Sequence, residues 1–543
     1  MSITTHSSLL AFAPTGLALL THAVFHYYEP PKPIVPVLTI VLACPAAVVA
    51  LVGDWCAWNV AKTYLVYALS LFTSITAYRL SPVHPLSKYP GPVLFKVSKL
   101  PCIPITIKGE RHLLLKTLHA KYGPVVRVGP NDLSIVDADA IPAVLGAGGL
   151  VKGRFYDIRR DPTAPSNLLA MSGDAHANRR RLWNRSMSSE SLKDYEELIV
   201  TRVTQLVERL EGLAGPVDLV SWINYFTFDF MGDMAFGGGF HMLEDGADKT
   251  GLWGVIETFA ASVEVISQIP WCAQLQRKIP MVARNLQALR TMGVGCATAR
   301  LKNGSTKKDL WYHLSDEAGL EKEKPATRDV IADGTLTIIA GADTTSSAMA
   351  SLFWFLLTHP ECYRRLQTEV DAVYPSGEDA LDVSKHGGLK YLAAIINETL
   401  RLAPPVPTGG PRELKKGMGS RVIAGHVIPE GTQIYLPPYV YHRNPCYWPG
   451  ATDDFVPERW LEPAAQQNFA AFVPFSYGPA NCVGKNLARR EMTMVVSLLV
   501  QKFEFTFADG FDWQAWPDTL RDYFILTRGP LLVTLRERQA RKS

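Results

Sequence analysis

The chain has 543 residues, a formal net charge of +4 and eight cysteines. Its basic residues are dispersed, without the dense stripe that phosphate binding needs, which argues against a nucleic-acid protein. The cysteines (Cys44, Cys56, Cys102, Cys272, Cys296, Cys362, Cys446 and Cys482) form no CxxC pair and keep no regular spacing, so they read as reduced thiols and not as a disulfide framework.

Three apolar stretches come first. Leu9 to Tyr28 and Ile34 to Gly53 carry no charge, and Val60 to Leu80 holds only Lys62 and Arg79. Each reaches the roughly 20 residues that a hydrocarbon core requires, and the middle one is the strongest. The first also has the length of a signal peptide but lacks the basic leading region of one; the third also suits an amphipathic interfacial helix. Residues 1–80 are therefore expected to form a membrane anchor of one to three transmembrane segments. No repeat or long linker follows, so residues 81–543 are expected to be one large domain. Arg79, Lys88, Lys96 and Lys99 collect after the third stretch, which favours a cytosolic domain by the positive-inside rule; three spans would then put the N-terminus in the lumen. Lys88-Tyr89-Pro90-Gly91-Pro92 reads as a stiff hinge, or as an ordinary proline-rich turn.

Helical spacing dominates the remainder. Glu190 to Leu213 repeats apolar residues at helical intervals. Asp329 to His359 is apolar almost all round and should cross the interior. Pro360 opens a new helix, and Tyr391 to Leu402 forms another, stopped by Pro404-Pro405. Strand signals are shorter: a hairpin at Val125–Val128 and Leu133–Val136 around Gly129-Pro130-Asn131-Asp132, then Val422 to Ile434, Phe503 to Phe507, and Tyr523 to Leu535. The fold class is α+β, predominantly helical, with small sheets.

Phe475-Ser-Tyr-Gly478-Pro-Ala-Asn-Cys482-Val-Gly484 places a cysteine just before a helix that starts near Lys485. The positive helix end and its free N–H groups favour a thiolate, and Gly484 leaves room for a flat macrocycle. A thiolate on heme iron favours O–O cleavage. Taken alone, however, a cysteine at a helix start is more often structural. Glu398 and Arg401 share a helix face at i, i+3, as a solvated ion pair or as part of a buried network. Asp343-Thr344 interrupts an apolar helix, where a buried acid is costly unless used; Thr344 can also bond back to the carbonyl of Ala340.

Together these stretches resemble the cytochrome P450 family in its microsomal form. Phe475, Gly478, Cys482 and Gly484 match the heme signature FxxGxxxCxG. Glu398-Thr-Leu-Arg401 matches the ExxR helix. Phe455-Val-Pro-Glu-Arg459-Trp460 matches the segment that completes a Glu-Arg-Arg triad. Ala340-Gly341-Ala-Asp343-Thr344-Thr345 matches the oxygen-binding helix. The resemblance covers about Pro90 to the C-terminus. It implies a heme b between the long helix and the Cys482 loop, with the Cys482 thiolate on iron and the Glu398, Arg401 and Arg459 triad as structural support. It further implies that Thr344 hydrogen-bonds dioxygen, that Asp343 feeds protons to it, and that Gly341 lets the helix open locally. His176 and Arg180, in His176-Ala-Asn-Arg179-Arg180-Arg181-Leu-Trp183, are expected to clamp the propionates, with Arg412 as a further cation. Arg179, Arg181 and Arg185 are left to the surface. There, with Lys485, Arg489 and Arg490, they make either a basic patch for a reductase or a solvated basic face. The basic residue that many relatives carry two positions before the cysteine is Ala480 here, so one propionate contact is missing or replaced.

The resemblance implies a monooxygenase that takes electrons from an NADPH-cytochrome P450 reductase and uses dioxygen. The expected setting is the endoplasmic reticulum membrane. The pocket regions it points to, around Leu168–Ser172, Ile338–Thr344, Val406–Gly409 and Phe524, are mostly apolar or small. They suggest a lipophilic, terpenoid-like substrate. Trp222 to Gly237 resembles fungal, notably basidiomycete, members, many of which serve secondary metabolite biosynthesis. The competing readings are a heme-thiolate isomerase or dehydratase that needs no dioxygen, against which Asp343-Thr344 argues, and a non-catalytic heme- or lipid-binding membrane protein.

Overall fold

The computed structural model describes residues 2–28, 34–52, 55–159, 164–273, 278–305, 307–375, 377–450, 452–461 and 467–538. Gly53, the end of the second apolar stretch, lies outside them. The three stretches are the helices Ser2–Tyr27, Ile34–Val52 and Ala57–Leu80. The first and third lie side by side, joined through polar side chains. Thr15 Oγ1 meets Ser70 Oγ at 3.1 Å, Thr21 Oγ1 meets Tyr67 Oη at 2.8 Å, and His22 Nδ1 meets Ser74 Oγ at 2.6 Å. Such bonds join helices where apolar surroundings give no hydrophobic drive to associate. Among the described residues, Ala57–Leu80 is a helix long and apolar enough to cross a membrane, and Val35–Leu51 is a shorter apolar helix.

The hinge is a fixed elbow. Arg127, only 1 % exposed, donates to the Arg79 carbonyl at 3.1 Å and twice to that of Pro130, at 3.2 and 2.9 Å. The Arg127 N–H bonds the Pro90 carbonyl at 2.7 Å. A Cβ on Gly91 would stand 2.2 Å from the Arg127 oxygen, so the backbones meet where only glycine fits.

The hairpin of Val125–Gly129 and Asp132–Ile135 begins a five-stranded sheet. It continues through Thr432–Tyr435, parallel to its neighbour, and then through Arg412–Leu414 and Val151–Lys152, both antiparallel. Leu532–Glu537 pairs with Phe503–Phe507 and Val217–Asp218. The strands Val151–Lys152, Val217–Asp218 and Arg412–Leu414 have two or three residues each, too few for alternation to register in a sequence.

The long apolar run is the 32-residue helix Thr327–Thr358, buried along most of its length and packed beside Leu219–Phe236. The helix is continuous through Gly341, and a Cβ there would come within 2.1 Å of Met231 Sδ. Gly341 therefore lets two helices approach closely. Pro360–Val373, Lys390–Leu402 and Lys485–Lys502 form where their patterns place them. The Glu190 stretch divides into Ser191–Asp194 and Glu196–Glu211.

Candidate active site

The support of the site is a carboxylate–guanidinium network on helix Lys390–Leu402. Glu398 and Arg401 are both fully buried. Arg401 Nε and Nη2 donate to the two Glu398 oxygens at 2.8 Å each, the bidentate geometry that planar guanidinium allows. Arg459 Nε, the Val456 N–H and the Trp460 indole also donate to Glu398, at 3.0, 2.9 and 2.9 Å. Arg401 spends its other donors on the carbonyls of His442, Thr452 and Asp454, at 2.8, 2.6 and 2.9 Å. The network continues toward the cysteine. His442 Nε2 accepts the Val473 N–H at 3.0 Å, and the Phe475 carbonyl accepts the Cys482 N–H at 2.8 Å. Burial, with Arg401 and Arg443 nearby, lowers the His442 pKa to about 3, so the ring stays neutral and able to accept.

The cysteine loop is tightly drawn. Ser476 takes φ of 60° and Gly478 φ of 71°, a region that disfavours side chains. A Cβ on Gly478 would lie 2.1 Å from the Leu145 oxygen, whereas one on Gly484 would meet nothing within 4 Å. The Arg489 guanidinium caps the Phe475 ring at 5.4 Å. Cys482 is exposed by surface area, yet desolvation is the largest influence on its thiol. Burial pushes the thiol up from its ordinary value, while the Gly484 N–H, Arg180 and Lys485 pull it down. The net direction reverses the expected thiolate preference. Three influences that favour the charged form, the Gly484 N–H and the two cations, are in place beside the thiol.

Helix Gly173–Ser186 brings cations to this loop. Arg180 Nη1 donates to the Asn481 carbonyl at 2.5 Å, and Nη2 to Asn481 Oδ1 at 2.7 Å. His176 is buried; burial first, then the charges of Lys152, Arg180 and Arg412, lowers its pKa to about 4. Arg412 is buried too and donates to Tyr156 Oη at 3.1 Å and to the carbonyls of Gly410 and Pro411. Among the described residues, no carboxylate ion pair involves Arg180 or Arg412. Buried Arg412 and half-buried Arg180, without a carboxylate ion pair among the described residues, one thiol, and a glycine facing open space fit a flat macrocycle with anionic side arms. Lys152 and Tyr156 were not legible as part of this group; a lone lysine before Gly153 is the only local signal.

Of the arginines assigned to the surface, Arg181 is exposed as expected, whereas Arg179 is differently placed. Arg179 points inward, to Asp333 at 2.9 Å and Asp329 at 3.0 Å on the long helix. Asp333 also accepts the Trp183 indole N–H and the Leu168 N–H. Arg181 and Arg185 pair with Glu321, and Arg490 with Glu196. Most of the supposed basic patch is thus neutralised within the chain.

On the long helix, Thr344 Oγ1 donates to the Ala340 carbonyl at 2.6 Å, the local bond open to any such hydroxyl. Asp343 is buried, and its Oδ1 accepts from Arg528 Nη1 at 3.0 Å. Arg528 Nη2 also reaches Asn224 Oδ1 and Ser346 Oγ. Neither Arg528 nor Asn224 carried a sequence signal. A second missed acid is Glu491, nine residues past the cysteine. It is buried with Oε1 unpartnered, and desolvation pushes its pKa well up.

A long central helix bearing a buried acid and alcohol, with one glycine-looped cysteine locked by a Glu-Arg-Arg network, defines a cofactor-dependent oxidoreductase built on a single sulfur ligand. The cytochrome P450 family model matches residues 85–530, and the chain belongs to that family. Over 498 residues the chain is 32 % identical to the cytochrome P450 monooxygenase FCK2 of Fusarium pseudograminearum, covering 89 % of this chain and 88 % of that relative. It is 30 % identical over 499 residues to the averantin hydroxylase of Dothistroma septosporum, covering 88 % and 91 % respectively. The trichothecene C-15 hydroxylase of Fusarium sporotrichioides is 30 % identical over 475 residues, covering 83 % and 93 %. The chain is thus a P450 monooxygenase, an oxidoreductase of a family that binds heme through a cysteine thiolate.

Proposed function

We propose that this chain hydroxylates a lipophilic secondary metabolite, terpenoid-like in character, with electrons from an NADPH-dependent reductase. Cys482 is the thiolate ligand; the unbroken set of bonds from Glu398 and Arg401 through His442 to Val473 and the Cys482 loop carries this reading. When bound, the heme supplies oxygen activation at its iron. The chain's own residues do the rest. Arg180, Arg412 and neutral His176 would hold the propionates, with Lys152 near His176. Arg180, fixed on Asn481, occupies the side of the loop where Ala480 offers no cation. Thr344 keeps its hydroxyl on the Ala340 carbonyl, which leaves its lone pairs free to accept a proton-bearing partner in the cleft. Asp343 is the acid behind it. The apolar walls of the pocket regions exclude water and favour an apolar substrate. The relatives named as hydroxylases of averantin and of a trichothecene support hydroxylation of a fungal secondary metabolite.

Ala57–Leu80 is the proposed membrane span, with residues 1–80 as anchor and 81–543 as a cytosolic catalytic domain on the endoplasmic reticulum. The test is expression with a P450 reductase. The reduced, CO-bound protein should show the thiolate signature, and Cys482→Ser should lose it. Feeding of apolar candidates with NADPH should then give hydroxylated products by mass spectrometry. A retained thiolate spectrum in Cys482→Ser would overturn the ligand assignment. Binding of polar acids without any spectral shift from apolar ligands would overturn the substrate class.

A further inference from the structure

Phe524 stands at the apex of the terminal hairpin, between Arg521–Tyr523 and Ile525–Thr527, in a conformation that its type avoids. Its φ is 74°, and a bulky side chain in the left-handed region persists only where the surroundings hold it. The backbone is held through buried Asp522. Its Oδ1 accepts the Phe524 N–H at 3.1 Å, its Oδ2 accepts the Thr408 hydroxyl, and its own N–H donates to the Gly109 carbonyl at 2.8 Å. The ring lies beside the cofactor region. A Cβ on Gly410, two residues before Arg412, would come within 3.5 Å of it. Ser347 of the long helix donates to the nearby Leu526 carbonyl at 2.8 Å.

The ring itself rests against Arg159. That guanidinium centre lies 3.7 Å from the Phe155 ring centroid and 5.0 Å from that of Phe524, and the two rings are 5.6 Å apart. Both rings are within reach of cation–π attraction. Arg159 is in turn fixed by its donors. Nη2 donates to Glu264 Oε2 at 2.8 Å, and Nη1 donates to Ser267 Oγ at 2.6 Å and to the Phe155 carbonyl at 2.9 Å. Glu264 is buried on helix Leu252–Ser267. Its other oxygen accepts from Arg111 Nη1 at 3.0 Å and Gln268 Nε2 at 3.2 Å. One buried carboxylate thus ties together three segments far apart in the chain. A planar guanidinium can donate in its plane and stack through its face at once.

We propose that Arg159 is a positioning residue that sets substrate shape. Held by Glu264 and Ser267, it keeps the Phe524 ring in one place, so the pocket wall has a fixed outline and rejects bulky molecules. Pairing with Glu264 offsets the cost of burying this charge, so the guanidinium can stay against the rings. Arg159 acts through Phe524 and does not touch substrate. The proposal rests on the monooxygenase reading above, which puts the Phe524 turn in the pocket.

The test uses the full-length, heme-loaded protein as wild type, Arg159→Met, Arg159→Lys, Phe524→Leu and the double variant Arg159→Met with Phe524→Leu. Two imidazoles that ligate the iron, compact 4-phenylimidazole and bulky 1-tritylimidazole, report the wall through the ratio of their affinities, read from the shift of the heme absorbance. Hydrogen exchange of residues 521–527 reads the turn without any ligand. Arg159→Met should move the ratio toward the bulky imidazole roughly tenfold, the low end for pocket discrimination because the wall is loosened and not removed. It should also speed exchange in the turn, with the reduced CO spectrum unchanged. Arg159→Lys keeps the charge but lacks the planar face and should fall between. The double variant should give the ratio of Phe524→Leu alone, because Arg159 acts through that ring. A merely structural arginine would lower the yield of heme-loaded protein and leave the ratio per heme unmoved. Should Arg159→Met not load heme, Arg159→Lys carries the same comparison, alone and with Phe524→Leu. The proposal is overturned if the Arg159 variants keep the wild-type ratio, if exchange in the turn is unaffected, or if the two changes add in the double variant. It is also overturned if the wild type shows the CO signature but binds neither imidazole. Absence of the thiolate CO signature in the wild type would instead bring down the monooxygenase reading, and the proposal with it.

Discussion

Arg401 and Arg528 are both buried guanidiniums bound to a carboxylate, yet their surroundings are opposite. All five N–H groups of Arg401 point at acceptors, and Glu398 takes donors on both oxygens. Among the described residues, Arg528 leaves Nε without a partner, and Asp343 leaves Oδ2 without one. A saturated network has nothing left to bind, so it holds position. An unsaturated one keeps the capacity to take up a water or a proton, at a cost in stability. The Glu398–Arg401 network is built for rigidity, and the Asp343–Arg528 pair keeps unsatisfied groups among the described residues.

The comparison breaks first at Arg401. Arg401→Lys keeps the charge but loses the planar fork, leaving Glu398 and several carbonyls short of donors. We expect a loss of about 3–5 kcal/mol and almost no heme-loaded protein, read by thermal unfolding and the CO spectrum. Arg528→Met should cost less, about 3 kcal/mol, because it strands mainly one buried carboxylate. Adding Asp343→Asn should recover much of that loss, since the second change removes the stranded charge. The matching pair at the other end, Arg401→Met with Glu398→Gln, should recover little. Equal recovery in both double variants, measured by denaturant unfolding, would erase the distinction drawn here.

Glu491 sharpens the contrast by pH. Its folded-state pKa lies above the unfolded value because burial disfavours the charged form. The unfolded chain therefore loses this proton first, and stability falls as pH rises above the ordinary carboxyl range. Glu491→Gln should remove that slope and gain on the order of 1 kcal/mol at neutral pH, with little change near pH 4. A fixed difference between variant and wild type across that range would contradict the assignment. The smallest effect is at Gly341. Gly341→Ala pushes a Cβ against the end of a flexible Met231 side chain and should cost about 1 kcal/mol; Met231→Ala in the same chain should relieve the clash.

What was legible in the sequence was whatever one short segment contains. The Cys482 loop, the Glu398–Arg401 pair and the Arg459 segment are each local, so their spacing showed them. Partners far apart in the chain were not legible. Asp343 and Arg528 are 185 residues apart, and a turn arginine looks like any other before folding. Helical spacing puts His176 and Arg180 on one face, but it does not say that Arg179 also turns inward to Asp333. Gly341 read only as a point of local opening because the sequence does not reveal Met231 beside it. The three short strands were invisible because two or three residues have no period.

The Arg127 elbow fixes more than a turn. A flexible tether lets a catalytic body wander through every orientation above a surface. Here a guanidinium ties the end of the third helix, through the Arg79 carbonyl, to the first strand of the main sheet. The tilt of the globular part against the helices is therefore set at folding. Any force on the helices is passed through this guanidinium into the sheet.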